Sequence, residues 1–84
     1  MVTVLFFARI REQLGVDRLS LALPEGAVSL GAFKLQLLAN NDASWAEVLL
    51  ADNVVKAVNH QVVDDAYMLQ DGDEIAFFPP VTGG

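Results

Sequence analysis

The chain of 84 residues has no cysteine, a single histidine (His60) and only five basic residues. Without cysteine it cannot form a disulfide, a thiolate zinc site or an iron–sulfur cluster, and it lacks a cysteine nucleophile. One histidine does not build a metal site by itself, and the acidic segments 64–65 and 71–74 lack the ligand spacing of a calcium loop. We therefore expect no metal site and no catalytic constellation in the folded part of the chain.

Basic residues are outnumbered by 11 acidic ones, which gives a formal net charge of −6. Nucleic acids and anionic membranes attract Lys and Arg, so this charge argues against both as partners. An acidic surface suits a basic protein partner, although the same charge also keeps a small domain soluble. No apolar run approaches the ~18 residues that span a bilayer, and no basic region precedes the apolar start as in a signal peptide. We expect a cytoplasmic protein.

Four segments have the apolar density or the alternation of β-strands: 2–7, 18–23, 54–59 and 74–78. A brief pairing segment is expected at 60–63. Turns are predicted at Pro24–Gly26 and at Asp71-Gly72, because Pro and Asp-Gly favour the backbone angles of tight turns.

One main helix and two short helical pieces are predicted between these strands. A short helix over 9–14 has Gly15 as its C-terminal cap. The main helix has Ser29 as its N-cap, is slightly weakened by Gly31 and ends at Asn40-Asn41. Its apolar residues recur at helical spacing: Leu30, Phe33, Leu37 and Leu38. The segment 44–47 has the spacing of a capping box that begins at Ser44.

The order of these elements predicts an α+β fold. Two strands, a crossover helix and further strands pack most economically as a mixed sheet with one helix across one face. The first and last strands are the most apolar, so we expect them to be central, parallel neighbours. This is the ubiquitin-like β-grasp arrangement, with the folded domain over 1–78 and an extended tail over 79–84.

The tail combines stiffness with a very small tip. Two prolines fix φ and favour an extended course, and six residues can reach up to ~20 Å. Residues without a Cβ can pass through a channel that admits only a bare backbone. Chain ends are also commonly small and polar, so a terminal Gly-Gly alone is a weak signal. The tail residues are Pro79, Pro80, Val81, Thr82, Gly83 and Gly84.

Strand alternation predicts an exposed aromatic patch on the face away from the helix. If Val4 and Phe6 face the helix, Phe7 faces away, and the same alternation turns Phe78 away in the last strand. Because the two strands are expected to be neighbours, Phe7 and Phe78 form one patch, flanked by Arg11 and Val62. Such a patch is typical of a protein interface.

Several motifs resemble the small subunits of molybdopterin synthase. They are VLFFA at 4–8, Arg11-Glu12, AVN at 57–59 and the run DGDEIAFFPPVTGG at 71–84. The resemblance follows the whole chain in order, is loose over about 28–52 and is most specific in the terminal run.

The resemblance implies a sulfur carrier. In this family an adenylating enzyme uses ATP to activate the C-terminal carboxylate, and a sulfur donor converts it to a thiocarboxylate. The carrier itself binds no cofactor. Its tail enters the large synthase subunit and gives sulfur to cyclic pyranopterin monophosphate, within a heterotetramer of two large and two small subunits. Matched by position, Gly84 carries the sulfur, Gly83 enters the partner with it, and the partner contacts are Phe7, Arg11, Val62 and Phe78.

Two other interpretations stay open at this point. A carrier for another pathway, such as that of thiamine or a tungsten cofactor, would share the Gly-Gly end and the same activation. A ubiquitin-like modifier or a plain interaction domain would have the same fold with a different use of the tail.

Overall fold

A computed structural model describes residues 1–26, 28–51 and 53–80. The strands are β1 (Val2–Phe6), β2 (Arg18–Leu21), β3 (Val28–Ser29), β4 (Val55–Val58), β5 (Gln61–Val62), β6 (Met68–Leu69) and β7 (Glu74–Phe78). The helices are α1 (Ala8–Leu14), α2 (Leu30–Ala39) and α3 (Ala43–Leu49).

Five of the strands form one mixed sheet in the order β2-β1-β7-β4-β5. The central pair, β1 and β7, is parallel, and the other neighbours are antiparallel. The predicted α+β architecture is therefore confirmed, including the parallel contact between the first and last strands. Ten-residue α2 is the main helix, and α1 and α3 are the two short pieces.

Both ends of α2 are capped by the side chains that the sequence indicates. The Ser29 hydroxyl accepts the backbone N–H of Ala32 at 3.1 Å, which satisfies one of the free donors of the first turn. At the other end, the side-chain amides of Asn40 and Asn41 donate to the carbonyls of Gln36 and Leu37. The Asn41 amide thus takes up the Leu37 carbonyl at the end of the helix, while the Gln36 carbonyl also accepts the backbone N–H of Asn40.

The other two helices begin earlier than predicted. The N-cap of α3 is Asp42, whose carboxylate accepts the backbone N–H of Ser44 at 3.0 Å, so Ser44 itself is not the cap. A carboxylate caps as well as a hydroxyl, and this one lies two residues upstream. Helix α1 begins at Ala8 because Phe7 keeps an extended backbone as its N-cap. Gly15, with φ of 71°, closes α1 as predicted.

A second, two-stranded sheet was not predicted. Strands β3 and β6 pair antiparallel, with Val28 opposite Leu69 and Ser29 opposite Met68. Two residues are too few for a strand to show alternation in a sequence. Three of the four expected strands are shorter in the structure, because β1 ends at Phe6, β2 ends at Leu21 and β4 spans Val55–Val58. The last strand, β7, has the predicted bounds.

The core lies between the helices and the face of the sheet formed by alternate residues of β1 and β7. Val4, Phe6, Ile75 and Phe77 are all at most 1% exposed. The Phe6 ring stacks on that of Phe77 with centroids 5.9 Å apart and meets the edge of Trp45 at 5.5 Å. Trp45, to which sequence analysis gave no role, thereby ties α3 to the central strands.

A charged cluster joins α2 to the segment that follows β5. Lys34 on α2 is only 7% exposed, and its ammonium lies 3.2 Å from the Asp65 carboxylate, which also accepts from Lys56 on β4. The hydrogen bond from Lys56 lowers the pKa of Asp65 and Lys34 lowers it further, while partial burial opposes them.

Gly31 allows this segment to approach the helix closely. The Gly31 N–H donates to the Asp65 carbonyl at 3.0 Å, and a Cβ at position 31 would lie 3.0 Å from the Cβ of Asp65. The glycine that weakens the helix in isolation therefore has a packing role.

Alanine substitutions at two adjacent phenylalanines should differ in their effect on stability, because the two side chains lie on opposite faces of the sheet. Phe77→Ala removes a fully buried ring and is expected to lower the free energy of unfolding by about 3–5 kcal/mol. Phe78→Ala, on the opposite face, is expected to cost only about 1 kcal/mol. Urea denaturation of both variants tests this, and equal losses would contradict the assignment of faces.

The Asp65 cluster predicts a pH-dependent stability difference. Asp65→Asn leaves the buried Lys34 without its carboxylate and should cost about 1–2 kcal/mol at neutral pH, a modest figure because Asp65 is half exposed. The contribution of Asp65 is complete above the ordinary carboxyl pKa of 3.8 and is lost as the pH falls through the lower value of the folded state. Denaturation of wild type and variant should therefore converge well below pH 3.8; a difference that is constant with pH would refute the ion-pair explanation.

Candidate docking surface and C-terminal tail

The face of the sheet away from the helices carries an apolar row that crosses four strands. The strand registers place Leu5 beside Ala76, Ala76 beside Ala57, and Ala57 beside Val62. Paired residues point to the same side of a sheet, so these four side chains share the open face. Two small alanines lie at the centre of the row, and larger side chains lie at its ends.

This row lines a shallow groove of about 270 Å³, with the two alanines at its floor. Phe7 is 43% exposed and Val62 is 71% exposed. The structure thus brings together three of the predicted contact residues, Phe7, Val62 and Phe78, on one surface; their contact with a partner stays a prediction. The groove is lined by Leu5, Phe7, Ala57, His60, Val62, Glu74, Ala76 and Phe78.

Arg11 lies outside this groove. It is exposed one turn into α1, where its backbone N–H donates to the carbonyl of Phe7, and it is not among the described residues that line the groove. Arg11 is therefore near Phe7 in sequence but lies on helix α1 and not in the groove. Its role as a partner contact stays a prediction.

A tight turn between β4 and β5 builds one rim of the groove. Asn59 and His60 have φ of 51° and 72°, and they form a two-residue hairpin loop because Val58 pairs with Gln61. Positive φ at both central residues is typical of a type I′ turn.

Asn59 fixes this turn to the start of β7. Its side-chain amide donates to the Asp73 carboxylate at 2.8 Å and accepts the backbone N–H of Glu74 at 3.0 Å. As a result the His60 imidazole lies beside Glu74, with Nε2 3.8 Å from Oε1. From the sequence, neither His60 nor Glu74 was expected on the docking surface; an Asn-His pair between two strands is the signal that could have indicated the turn.

The tail begins next to the aromatic end of the groove. Strand β7 ends at Phe78, and the half-buried Pro79 lines a separate cavity of about 280 Å³ between α1 and α3. Pro80 is also half-buried. The predicted reactive end, Val81, Thr82, Gly83 and Gly84, lies outside the described residues.

Within residues 1–26, 28–51 and 53–80, no three His, Asp or Glu side chains converge as metal ligands would. In the same ranges, the helices are too short to cross a membrane.

Comparison with known protein families gives a match that runs through the tail. The model of the ThiS family matches residues 4–84. This chain belongs to the ThiS family. The matched residues include the whole groove and the terminal Gly-Gly, so the family covers both the surface and the tail described above.

Among its curated relatives is the molybdopterin synthase sulfur carrier subunit of Escherichia coli. The two chains are 43% identical over 84 residues, which is 100% of each. The alignment therefore runs over the full length of both sequences.

Solved structures show the same fold. SAMP1 from Haloferax volcanii superimposes with a TM-score of 0.75 at 22% identity, covering 99% of this chain and 98% of that one. A complex of subunits 1 and 2 of the molybdopterin-converting factor from Helicobacter pylori contains a chain with a TM-score of 0.65 and 26% identity, covering 99% and 97%. The ubiquitin-like β-grasp fold predicted from the order of elements is confirmed.

The turn at the rim predicts a gain in stability from glycine. A non-glycine residue in the left-handed region costs about 1–2 kcal/mol, whereas glycine adopts positive φ freely. After the entropy cost of glycine, His60→Gly should stabilise the protein by up to about 1 kcal/mol. The matched control is Gln61→Gly, in β5, which should destabilise it. Thermal denaturation compares the two, and equal destabilisation would contradict the turn assignment.

Proposed function

We propose that this protein is the sulfur carrier subunit of molybdopterin synthase and that it carries sulfur as a thiocarboxylate on Gly84. The observation that carries the proposal is the end-to-end match with a relative of that name, at 43% identity over 100% of both chains. The ThiS family match to residue 84 supports it, because the reactive group of such a carrier is the terminal carboxylate.

The chemistry follows from the weakness of a carboxylate as an electrophile. The Gly84 carboxylate attacks the α-phosphorus of ATP on an adenylating enzyme, which forms an acyl-adenylate and releases pyrophosphate. A hydrosulfide equivalent from a sulfur donor then attacks the acyl carbon, and the C–O bond to AMP breaks. The product is a thiocarboxylate, whose sulfur is a good nucleophile without help from a side chain of this chain.

We propose that the chain supplies a folded domain and an extended tail, and that the partner proteins supply the catalytic groups. It has no cysteine that could hold the sulfur, so the sulfur must come from another protein, and ATP is bound by the adenylating enzyme. Pro79 and Pro80 stiffen the start of the tail. Gly83 and Gly84 present a bare backbone, which can enter a narrow channel in the partner.

The acceptor is cyclic pyranopterin monophosphate, held by the large subunit. Each carrier delivers one sulfur, so two transfers complete the dithiolene of molybdopterin. We propose that the large subunit binds the groove at Phe7, Val62 and Phe78, with Arg11 beside it, in a cytoplasmic heterotetramer of two large and two small subunits. The complex formed by subunits 1 and 2 of the Helicobacter pylori factor supports such a pairing.

The test is the intact mass of the chain after incubation with an adenylating enzyme, ATP and a sulfur donor. We expect a mass increase that corresponds to the replacement of one oxygen by sulfur, located at Gly84 by fragmentation. The matched control is the same chain with one alanine added after Gly84, which should fold normally and gain no sulfur because the tail is too long for the adenylating site.

Two results would overturn the proposal. One is an unchanged mass when a known carrier is charged in the same mixture. The other is equal sulfur loading of the extended chain, because the reaction would then not depend on the terminal glycine.

A further inference from the structure

The groove on the open face is apolar except at one corner. Its floor is made by Ala57 and Ala76, and its walls include Leu5, Phe78 and the exposed Val62. A floor of two alanines between larger side chains leaves room for one inserted apolar side chain, in a groove of about 270 Å³. Buried knobs of this kind contribute most of the energy at protein interfaces.

The polar corner carries a negative charge. Glu74 is the one carboxylate among the described residues that line the groove, and its side chain is 37% exposed. It lies two residues before Ala76 on β7, so the two side chains are neighbours on the same face. The carboxylate therefore borders the alanine floor directly.

The backbone of Glu74 is held in place by the adjacent turn. The backbone N–H of Glu74 donates to the Asn59 side chain, and its carbonyl accepts the Asn59 N–H at 2.8 Å. Asn59 in turn is bonded to the buried Asp73. Glu74 is thus presented from a fixed backbone, so no backbone segment has to be ordered when its carboxylate pairs with a partner.

We propose that the groove is selective for a partner segment that combines an apolar side chain with an adjacent cationic group, Lys or Arg, and that Glu74 pairs with that cation. The inference rests on the proposed function, since the partner is the large synthase subunit, and it names what that subunit must present. Charge complementarity favours this occupant, because a carboxylate lies at the rim of the apolar groove on a chain with a net charge of −6.

The experiment measures binding to the purified large subunit from the same organism by calorimetry at low and high salt. Glu74→Gln keeps the shape and the backbone hydrogen bonds but removes the charge, and should weaken binding about five- to tenfold at low salt and less at high salt. Glu74→Lys should weaken it further. The matched control is Glu25→Gln, the same change in the turn after β2, which should leave the affinity unchanged.

Two variants test the apolar part of the groove independently. Phe78→Ala removes a wall, and Ala76→Leu fills the floor; both should weaken binding at every salt concentration. Circular dichroism and thermal denaturation of each variant show that it is folded.

The outcomes separate the inference from the proposed function. If Glu74→Gln binds like wild type while Phe78→Ala does not, the cation is absent and the inference is overturned, although the carrier role stands. If Phe78→Ala and Ala76→Leu also bind like wild type, this face is not the docking surface. Sulfur loading at Gly84 is measured separately and decides the carrier role by itself.

Discussion

The parallel pairing of β1 with β7 is the constraint on which the rest of the structure depends. Its register sets Phe6 beside Phe77, and strand alternation then sends one set of side chains into the core and the other to the open face. The core and the groove are therefore two sides of the same pairing. A slip of one residue would exchange them, burying Phe78 and exposing Phe77.

Strand β7 also connects the buried core to the tail that carries the proposed chemistry. Phe77 is fully buried between Phe6 and the helices, and the next residues are Phe78 in the groove and Pro79 at the start of the tail. The tail therefore leaves the domain from a central strand, immediately beside the docking surface. This arrangement matters for the proposed function, because it relates the start of the tail to the surface that we propose the partner binds.

Two groups of titratable residues lie on opposite faces of the main sheet. Lys34, Lys56 and Asp65 form a cluster on the helix side, where they tie α2 to the segment after β5. Glu74 and His60 lie at the rim of the open face. Their pairing with Asp65 places Lys34 and Lys56, two of the five basic residues of this acidic chain, on the side away from Glu74.

The sequence by itself determined the features that depend on neighbouring residues: the Ser29 and Gly15 caps, the strand alternation and the order of elements that defines the β-grasp fold. The same alternation also assigned Phe77 and Phe78 to opposite faces of the sheet. Only the tertiary structure decided the packing of Trp45 on Phe6, the need for Gly31 beside Asp65, the β3–β6 pair and the place of His60 beside Glu74. These join residues distant in the chain, and local pattern does not encode which of them meet, because that depends on how the whole core packs.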